Sequence, residues 1–155
     1  PVRTVVGGRQ RSESVLNALK TVNATEDSLV LVHDGVRPCL RFEDIKALVT
    51  VLDAHPVGGC LAVPVRETVK RVNRDDVVAT LDRSQLWLAQ TPQVFRFGIL
   101  KQALTQFPDS TDEASAIEQL GLQPRVVQGH SDNIKITTGE DLVMAEVILK
   151  SRGRS

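Results

Sequence analysis

Four polar clusters carry the residue types that could do chemistry in this chain. They lie at residues 7–14 (Gly-Gly-Arg-Gln-Arg-Ser-Glu-Ser), 33–38 (His-Asp-Gly-Val-Arg-Pro), 91–93 (Thr-Pro-Gln) and 132–135 (Asp-Asn-Ile-Lys). In the first, Gly7 and Gly8 precede a helix start. Glycine lets backbone approach a ligand closely, and the free amides of a helix N-terminus can bond polar or anionic groups. The spacing is not a G-x-G-x-x-G fingerprint, so a dinucleotide site has little support, and a plain strand-to-helix turn is the other reading. In the second, Asp34 ends an apolar run. A carboxylate there can hold Mg²⁺ together with substrate phosphates, or cap the following turn. Arg37 can meet a phosphate or buttress the same loop by pairing with Asp34. Lys135 stands between Ile134 and Ile136, so it faces away from the core they enter, toward solvent or a site.

A nucleophilic triad finds no support. His33 adjoins Asp34, and neighbours on a strand point to opposite faces, so His33 reads as a packed residue. His55 and His130 read as isolated surface residues. Cys39 and Cys60 form neither a C-x-x-C pair nor a zinc spacing, and read as buried free thiols.

The elements that must position these clusters follow from hydrophobic patterning. Residues 29–32 and 60–65 are apolar runs suited to strands buried on both faces of a parallel sheet, and residues 2–6 read as a short strand before Gly7. Helical spacing marks 12–23, capped by Ser12, and 42–54. The order strand, helix, strand, helix, strand predicts an α/β fold with a mostly parallel sheet, whose ligands bind at the strands' carboxyl ends. Residues 68–74 and 77–81 are short, β-prone and mixed in polarity, which predicts a hairpin arm projecting from the sheet at about 66–83. Residues 98–107 and 112–120 read as helices, the second with a capping box of Ser110 and Glu113. Residues 125–127 and 133–137 read as strands, and Thr138 opens a terminal helix bearing Leu142, Ala145, Ile148 and Leu149.

Composition sets the bounds. The 155 residues suit one domain over 1–155, and 41% apolar with 25% charged residues is ordinary for a globular protein. With aromatics at 3% and no Tyr, the core must rest on Val, Leu, Ile and Ala. Lys plus Arg equals Asp plus Glu at 19 each, which argues against a nucleic-acid-coating protein. No membrane-length apolar run or secretory leader pattern occurs, so neither nucleic acid nor membrane is an expected partner, and the expected location is the cytoplasm.

Taken together and in order, the motifs resemble the 2-C-methyl-D-erythritol 4-phosphate cytidylyltransferase family. They are Gly-Gly-x-x-Arg-x-x-Ser-Val at 7–15, Val-His-Asp-Gly-Val-Arg-Pro at 32–38, Pro-Val-Arg-Glu-Thr-Val-Lys at 64–70, and Asp-Arg at 82–83 with Leu-Trp at 86–87. Gln-Thr-Pro-Gln-Val-Phe at 90–95, Thr-Asp-Glu-Ala-Ser at 111–115 and Asp-Asn-Ile-Lys-Ile-Thr at 132–137 complete the set. The resemblance implies a Rossmann-like nucleotidyltransferase (nucleotide-diphospho-sugar transferase) fold. It implies a homodimer in which each subunit's β-arm reaches the other's site, and transfer of a cytidylyl group from CTP to 2-C-methyl-D-erythritol 4-phosphate with Mg²⁺, in non-mevalonate isoprenoid synthesis. In a plant-type host the location it implies is the plastid stroma.

By the same resemblance, Gly8 and Ser14 lie at the cytosine, and Asp34 and Gly35 lie at the ribose, phosphates and metal. Lys135 lies at the phosphates. Thr68, Arg83, Thr91 and Thr111 gather at the methylerythritol phosphate, with Thr68 and Arg83 coming from the partner's arm; Lys135, Asp34 and Arg83 form the catalytic set. Family members also carry an Ala-Ala-Gly-x-Gly-x-Arg loop and a Pro-Lys-Gln segment, and neither occurs here. The expectation is that the first βα units are missing and that this chain alone is inactive. The alternatives are a ribitol 5-phosphate cytidylyltransferase, separable by substrate, and a non-catalytic α/β dimerisation module.

Overall fold

A computed structural model describes residues 2–153. Two consecutive helix–strand units open the described chain. Helix α1 (Arg11–Leu19) leads to strand β1 (Leu29–Val32), then helix α2 (Phe42–Leu52) to strand β2 (Gly58–Pro64). A hairpin follows, β3 (Val69–Asn73) with β4 (Asp76–Leu81), and then the ten-residue strand β5 (Trp87–Arg96). Helices α3 (Phe97–Gln106) and α4 (Glu113–Gln119), strand β6 (Arg125–Gln128) and helix α5 (Gly139–Ser151) complete the chain.

The main sheet has the order β1-β5-β2-β6. Strand β5 is antiparallel to both β1 and β2, while β2 and β6 pair in parallel. Strands β1, β2 and β6 therefore run the same way, with β5 reversed between two of them. The α/β expectation holds, but the sheet is mixed, and β1 is an edge strand whose residues are half-buried, with Leu31 41% exposed, instead of buried on both faces. Successive residues of β5 enter opposite faces, as a strand requires. Phe95 joins Leu100, Leu104 and Ile117 beneath α3 and α4, and Val94 joins Leu48, Leu52 and Leu61 beneath α2. Helices thus cover both faces, which fixes the strand ends as the open rims where a site can form.

Several boundaries differ from the sequence reading. Residues 2–6 form no strand; Val2 and Val6 are 98% and 86% exposed, with no strand among the described residues paired to them. Ser12 lies inside α1, and its buried hydroxyl donates to the Pro108 carbonyl instead of capping the helix. The capping box of α4 is built by Asp112 and Ser115, because Ser110 turns its hydroxyl to the Phe107 carbonyl. Residues 133–137 are not a strand, since β6 ends at Gln128 and the chain leaves the sheet edge. At Thr138 the expected cap is present, with Asp141 reciprocating, and backbone and hydroxyl donors of Thr137 and Thr138 hold the Asp141 carboxyl down to about 2.

The hairpin has its turn at residues 74–75, with Arg74 at φ 51°, and it exposes Val72, Val77 and Val78. Where β2 meets β6, Gly59 is needed for close approach, because a Cβ would stand 1.8 Å from the Arg125 carbonyl oxygen. Gly59→Ala is expected to force the two strands apart and cost about 1–3 kcal/mol, read as a lower urea midpoint with unchanged m-value.

Candidate functional site

All four polar clusters meet at one rim of the sheet, with Thr91 of the third bonded behind Asp34. Strand β1 ends at His33-Asp34, α1 begins nearby, and the loop after β6 returns to place Lys135 opposite Asp34. The cleft between them measures about 380 Å³ and is lined by residues that include Arg11, Ser14, Asp34, Gly35 and Lys135. Asp34 is its electrostatic centre, with a side chain only 12% exposed. Arg11 donates to Asp34 Oδ1 through Nε at 3.1 Å. Lys135 Nζ lies 3.4 Å and Arg37 Nε 3.7 Å from Oδ2. Burial alone would raise the Asp34 carboxyl, but Arg11 and then Lys135 outweigh it and hold the group below the usual carboxylate range.

Local chemistry explains each placement. The Asp34 amide donates to Thr91 Oγ1 at 3.0 Å, and that hydroxyl also meets His33 Nδ1 at 3.1 Å. His33 Nε2 is bonded to the Arg37 carbonyl, so His33 is the packed residue that strand geometry predicts. Arg37 takes the buttressing role, donating to the Asn133 carbonyl at 2.8 Å, and burial lowers its pKa. Asn133 is fully buried and donates to the Thr91 carbonyl at 2.9 Å, while the Ile136 amide donates to Val36. These bonds tie the Lys135 loop to the Asp34 loop without a strand. The alternation still holds there: Lys135 is the exposed residue, with its neighbours Ile134 and Ile136 half-buried.

Gly8 and Ser14 also come together, the Gly8 amide donating to Ser14 Oγ at 2.9 Å, and a Cβ on Gly8 would collide with Glu13. Gly35 has open space where a side chain would stand. Thr91 is buried behind Asp34, and Thr111 is exposed just before α4, its hydroxyl 3.3 Å from Ser115 Oγ. Thr68 and Arg83 are exposed at the two ends of the hairpin. Among the described residues neither side chain makes a hydrogen bond or ion pair to the Asp34 cluster.

Arg11 and Glu113 stand in the motifs at 7–15 and 111–115, but sequence reasoning assigns Glu113 a capping role and gives no sign that the two pair. Glu113 is fully buried, and Arg11 grips its carboxylate with Nη1 at 2.6 Å and Nη2 at 3.0 Å. The two lie 102 positions apart, so no local pattern marks the contact between them. His130 is not isolated either: its Nδ1 is 2.7 Å from the buried Asp44. His55 accepts from the Val57 and Gly58 amides, a turn role. Burial pushes the Cys60 thiol up to about 11, which leaves it an inert core residue.

No group of three or more His, Cys, Asp or Glu side chains gathers among the described residues. Mg²⁺ does not need one, since it is usually held by one or two carboxylates with phosphates and water. Asp34 fits that mode: Arg11 and Lys135 hold its carboxyl below the usual range, and Oδ2 is met only at longer range, by Lys135 Nζ at 3.4 Å and Arg37 Nε at 3.7 Å.

A second ion-pair centre braces the loop that carries Lys135. Asp132 is held between Arg41 and Arg152. Burial raises its carboxyl, but the two guanidiniums outweigh that and leave it below the usual range. A depressed folded-state pKa contributes stability above the unfolded value and loses it as pH falls through the folded one. Asp34 and Asp132 should therefore hold the fold down to about pH 4 and weaken it below. In urea titrations from pH 6 to pH 3, Asp132→Asn should start less stable than wild type and fall less steeply. An identical pH slope would show that Asp132 is not a linked group.

An α/β sheet with a cation-ringed carboxylate and a helix N-terminus at its carboxyl rim is an arrangement suited to a phosphorylated ligand. The family model described as 2-C-methyl-D-erythritol 4-phosphate cytidylyltransferase matches residues 1–151. A protein of that name from Hahella chejuensis is 52% identical over 156 residues, covering 96% of this chain and 65% of its own length. A crystal structure from Francisella tularensis, titled as the same enzyme, superposes with a TM-score of 0.85 at 43% identity, covering 92% of this chain and 70% of that one. Another, titled 4-diphosphocytidyl-2C-methyl-D-erythritol synthase, gives 0.87 at 41% identity, covering 92% and 69%. The chain belongs to the 2-C-methyl-D-erythritol 4-phosphate cytidylyltransferase family, and spans about 65% of the length of the Hahella relative.

Proposed function

We propose that the protein containing this chain transfers the cytidylyl group of CTP to 2-C-methyl-D-erythritol 4-phosphate, releasing pyrophosphate. The observation that carries this reading is the Asp34 cleft, in which one ionised carboxylate sits among Arg11, Arg37 and Lys135 beside the Gly8–Ser14 turn. Family membership supports the choice of substrates.

In the reaction, a phosphate oxygen of the acceptor attacks the α-phosphorus of CTP. A new P–O bond forms as the bond to the β-phosphate bridging oxygen breaks, and pyrophosphate carries the electron pair away. Two anions must meet, so catalysis rests on positioning and on cations placed before the reaction begins. Lys135 lies at the cleft mouth and can move from Asp34 to a phosphate oxygen over a short distance. Ser14 lines the cleft, and its hydroxyl, which accepts from the Gly8 amide and donates to the Gln10 carbonyl, would exchange those bonds for contacts with the base. Arg83 can fork onto the acceptor phosphate, and Thr68 and Thr111 can donate hydroxyls to it. Mg²⁺ held by Asp34 and the nucleotide phosphates would supply further neutralisation of the transferring group.

Among the described residues Thr68 and Arg83 make no hydrogen bond or ion pair to the cleft of their own chain, which leaves them free to complete the cleft of a second copy in a twofold dimer. The test is pyrophosphate release by the protein as its gene encodes it, with CTP and each acceptor in turn. Turnover with methylerythritol phosphate and little with ribitol 5-phosphate is the expected result. Turnover of ribitol phosphate alone, or of neither, overturns the reading.

A further inference from the structure

Beyond the groups that touch substrate in that reading, on which this inference rests, we propose that Arg11 and Glu113 act as a positioning couple. Together they orient Asp34 and lock the nucleotide-side helix α1 to the start of α4. The geometry of one guanidinium carries the proposal. Its Nη1 and Nη2 fork onto the two oxygens of Glu113, at 2.6 and 3.0 Å. Its other edge faces Asp34 Oδ1, with Nε at 3.1 Å and Nη2 at 3.0 Å. A planar group with five donors can serve both carboxylates at once, which a lysine ammonium cannot do in this geometry.

Two consequences follow for the cleft. Arg11 occupies Asp34 Oδ1, so Oδ2 is left as the oxygen that faces Lys135. The orientation of Asp34 is thereby set from behind. The couple also joins the two sides on which substrates are proposed to sit. Arg11 lies three residues before Ser14 in the same helix, and Glu113 lies two residues after Thr111. A shift of α1 against α4 would change the distance between nucleotide and acceptor, and misplacements of an ångström are costly in rate. Stability alone does not account for the arrangement, because apolar residues of like size often replace a buried ion pair without loss.

That last point supplies the test. The double variant Arg11→Met with Glu113→Leu removes both charges and fills the same space. It should fold, with a melting temperature lowered by several degrees because Asp34 keeps only Lys135 and Arg37 as cationic neighbours, while kcat falls about 10- to 100-fold, the range seen when residues that orient a site's ligands are lost. Arg11→Lys, which keeps the charge and loses the fork, should not restore kcat. A folded double variant with wild-type kcat overturns the proposal. If the double variant does not fold, Glu113→Gln decides. Its Arg11 Nε–H should exchange about tenfold faster by ¹⁵N NMR, with kcat at least about tenfold lower. Unchanged exchange or unchanged kcat overturns the couple. A wild-type protein that releases no pyrophosphate from CTP sinks the functional reading and this one with it, whereas active wild type beside an equally active double variant sinks the couple alone.

Discussion

Lys135→Ala is expected to lower kcat for pyrophosphate release about 100-fold or more while leaving the melting temperature nearly unchanged. The separation of the two effects is what makes the prediction informative. Lys135 is 46% exposed on its side chain, and its ammonium lies 3.4 Å from Asp34 Oδ2. A half-exposed ion pair contributes about 1 kcal/mol or less to folding, so its loss is a small matter for the native state. In the transition state, the same ammonium faces charge that develops on the transferring phosphoryl oxygens. Removing one preorganised donor of that kind typically costs about two to three powers of ten. Lys135→Arg should recover part of the rate, because the charge is kept but its position moves. Steady-state kinetics on the protein as its gene encodes it checks both variants, and a Lys135→Ala enzyme with wild-type kcat would remove Lys135 from the mechanism.

The prediction starts from a residue whose facing was legible even though its secondary structure was not. Lys135 stands between Ile134 and Ile136, and alternation alone turns it away from them. That inference survived the loss of the expected strand at 133–137, because extended loop backbone alternates as a strand does. The apolar runs of β1 and β2, the helical spacing of α2 and α3 and the polar turn of the hairpin were legible for the same reason: each signal is local. Strand β5 was not. Its core stretch contains Gln90, Thr91, Pro92 and Gln93, which read as a polar cluster. They are buried because distant partners satisfy them: Gln93 bonds Asp112 and the Ala114 amide, and Gln90 bonds the His130 carbonyl. A buried polar strand is visible only once those partners are in place. Residues 2–6 failed in the opposite direction, being β-prone in composition with no strand among the described residues beside them. The site divides in the same way. Asp34, Gly8, Ser14 and Lys135 stand in short motifs that suggest their roles, whereas Arg11 and Glu113 stand in motifs too but gain their significance from a contact between distant parts of the chain.

The second large effect concerns subunits. The hairpin is a two-stranded sheet whose residues are almost all exposed, including Val72, Val77 and Val78. An isolated pair of strands is marginal in water, so a surface must cover it. A second copy of the chain fits that need if the arm carries Thr68 and Arg83 to the partner's cleft, as proposed above. In that arrangement Arg83→Ala and Lys135→Ala, each nearly inactive alone, should complement one another when co-expressed. One site of each hybrid dimer then carries both lesions, and the other carries neither. Random assortment makes about half of the dimers hybrid, and half of their sites intact, so the mixture should reach about a quarter of wild-type activity. That is many times the rate of either parent if each is about 100-fold impaired. A cis arrangement places one lesion in every hybrid site, and the mixture would then show no more activity than its parents. Mixing measurements at matched protein concentration, with two affinity tags to isolate the hybrid, separate the two arrangements: the purified hybrid should retain about half of wild-type activity if the sites are shared between subunits.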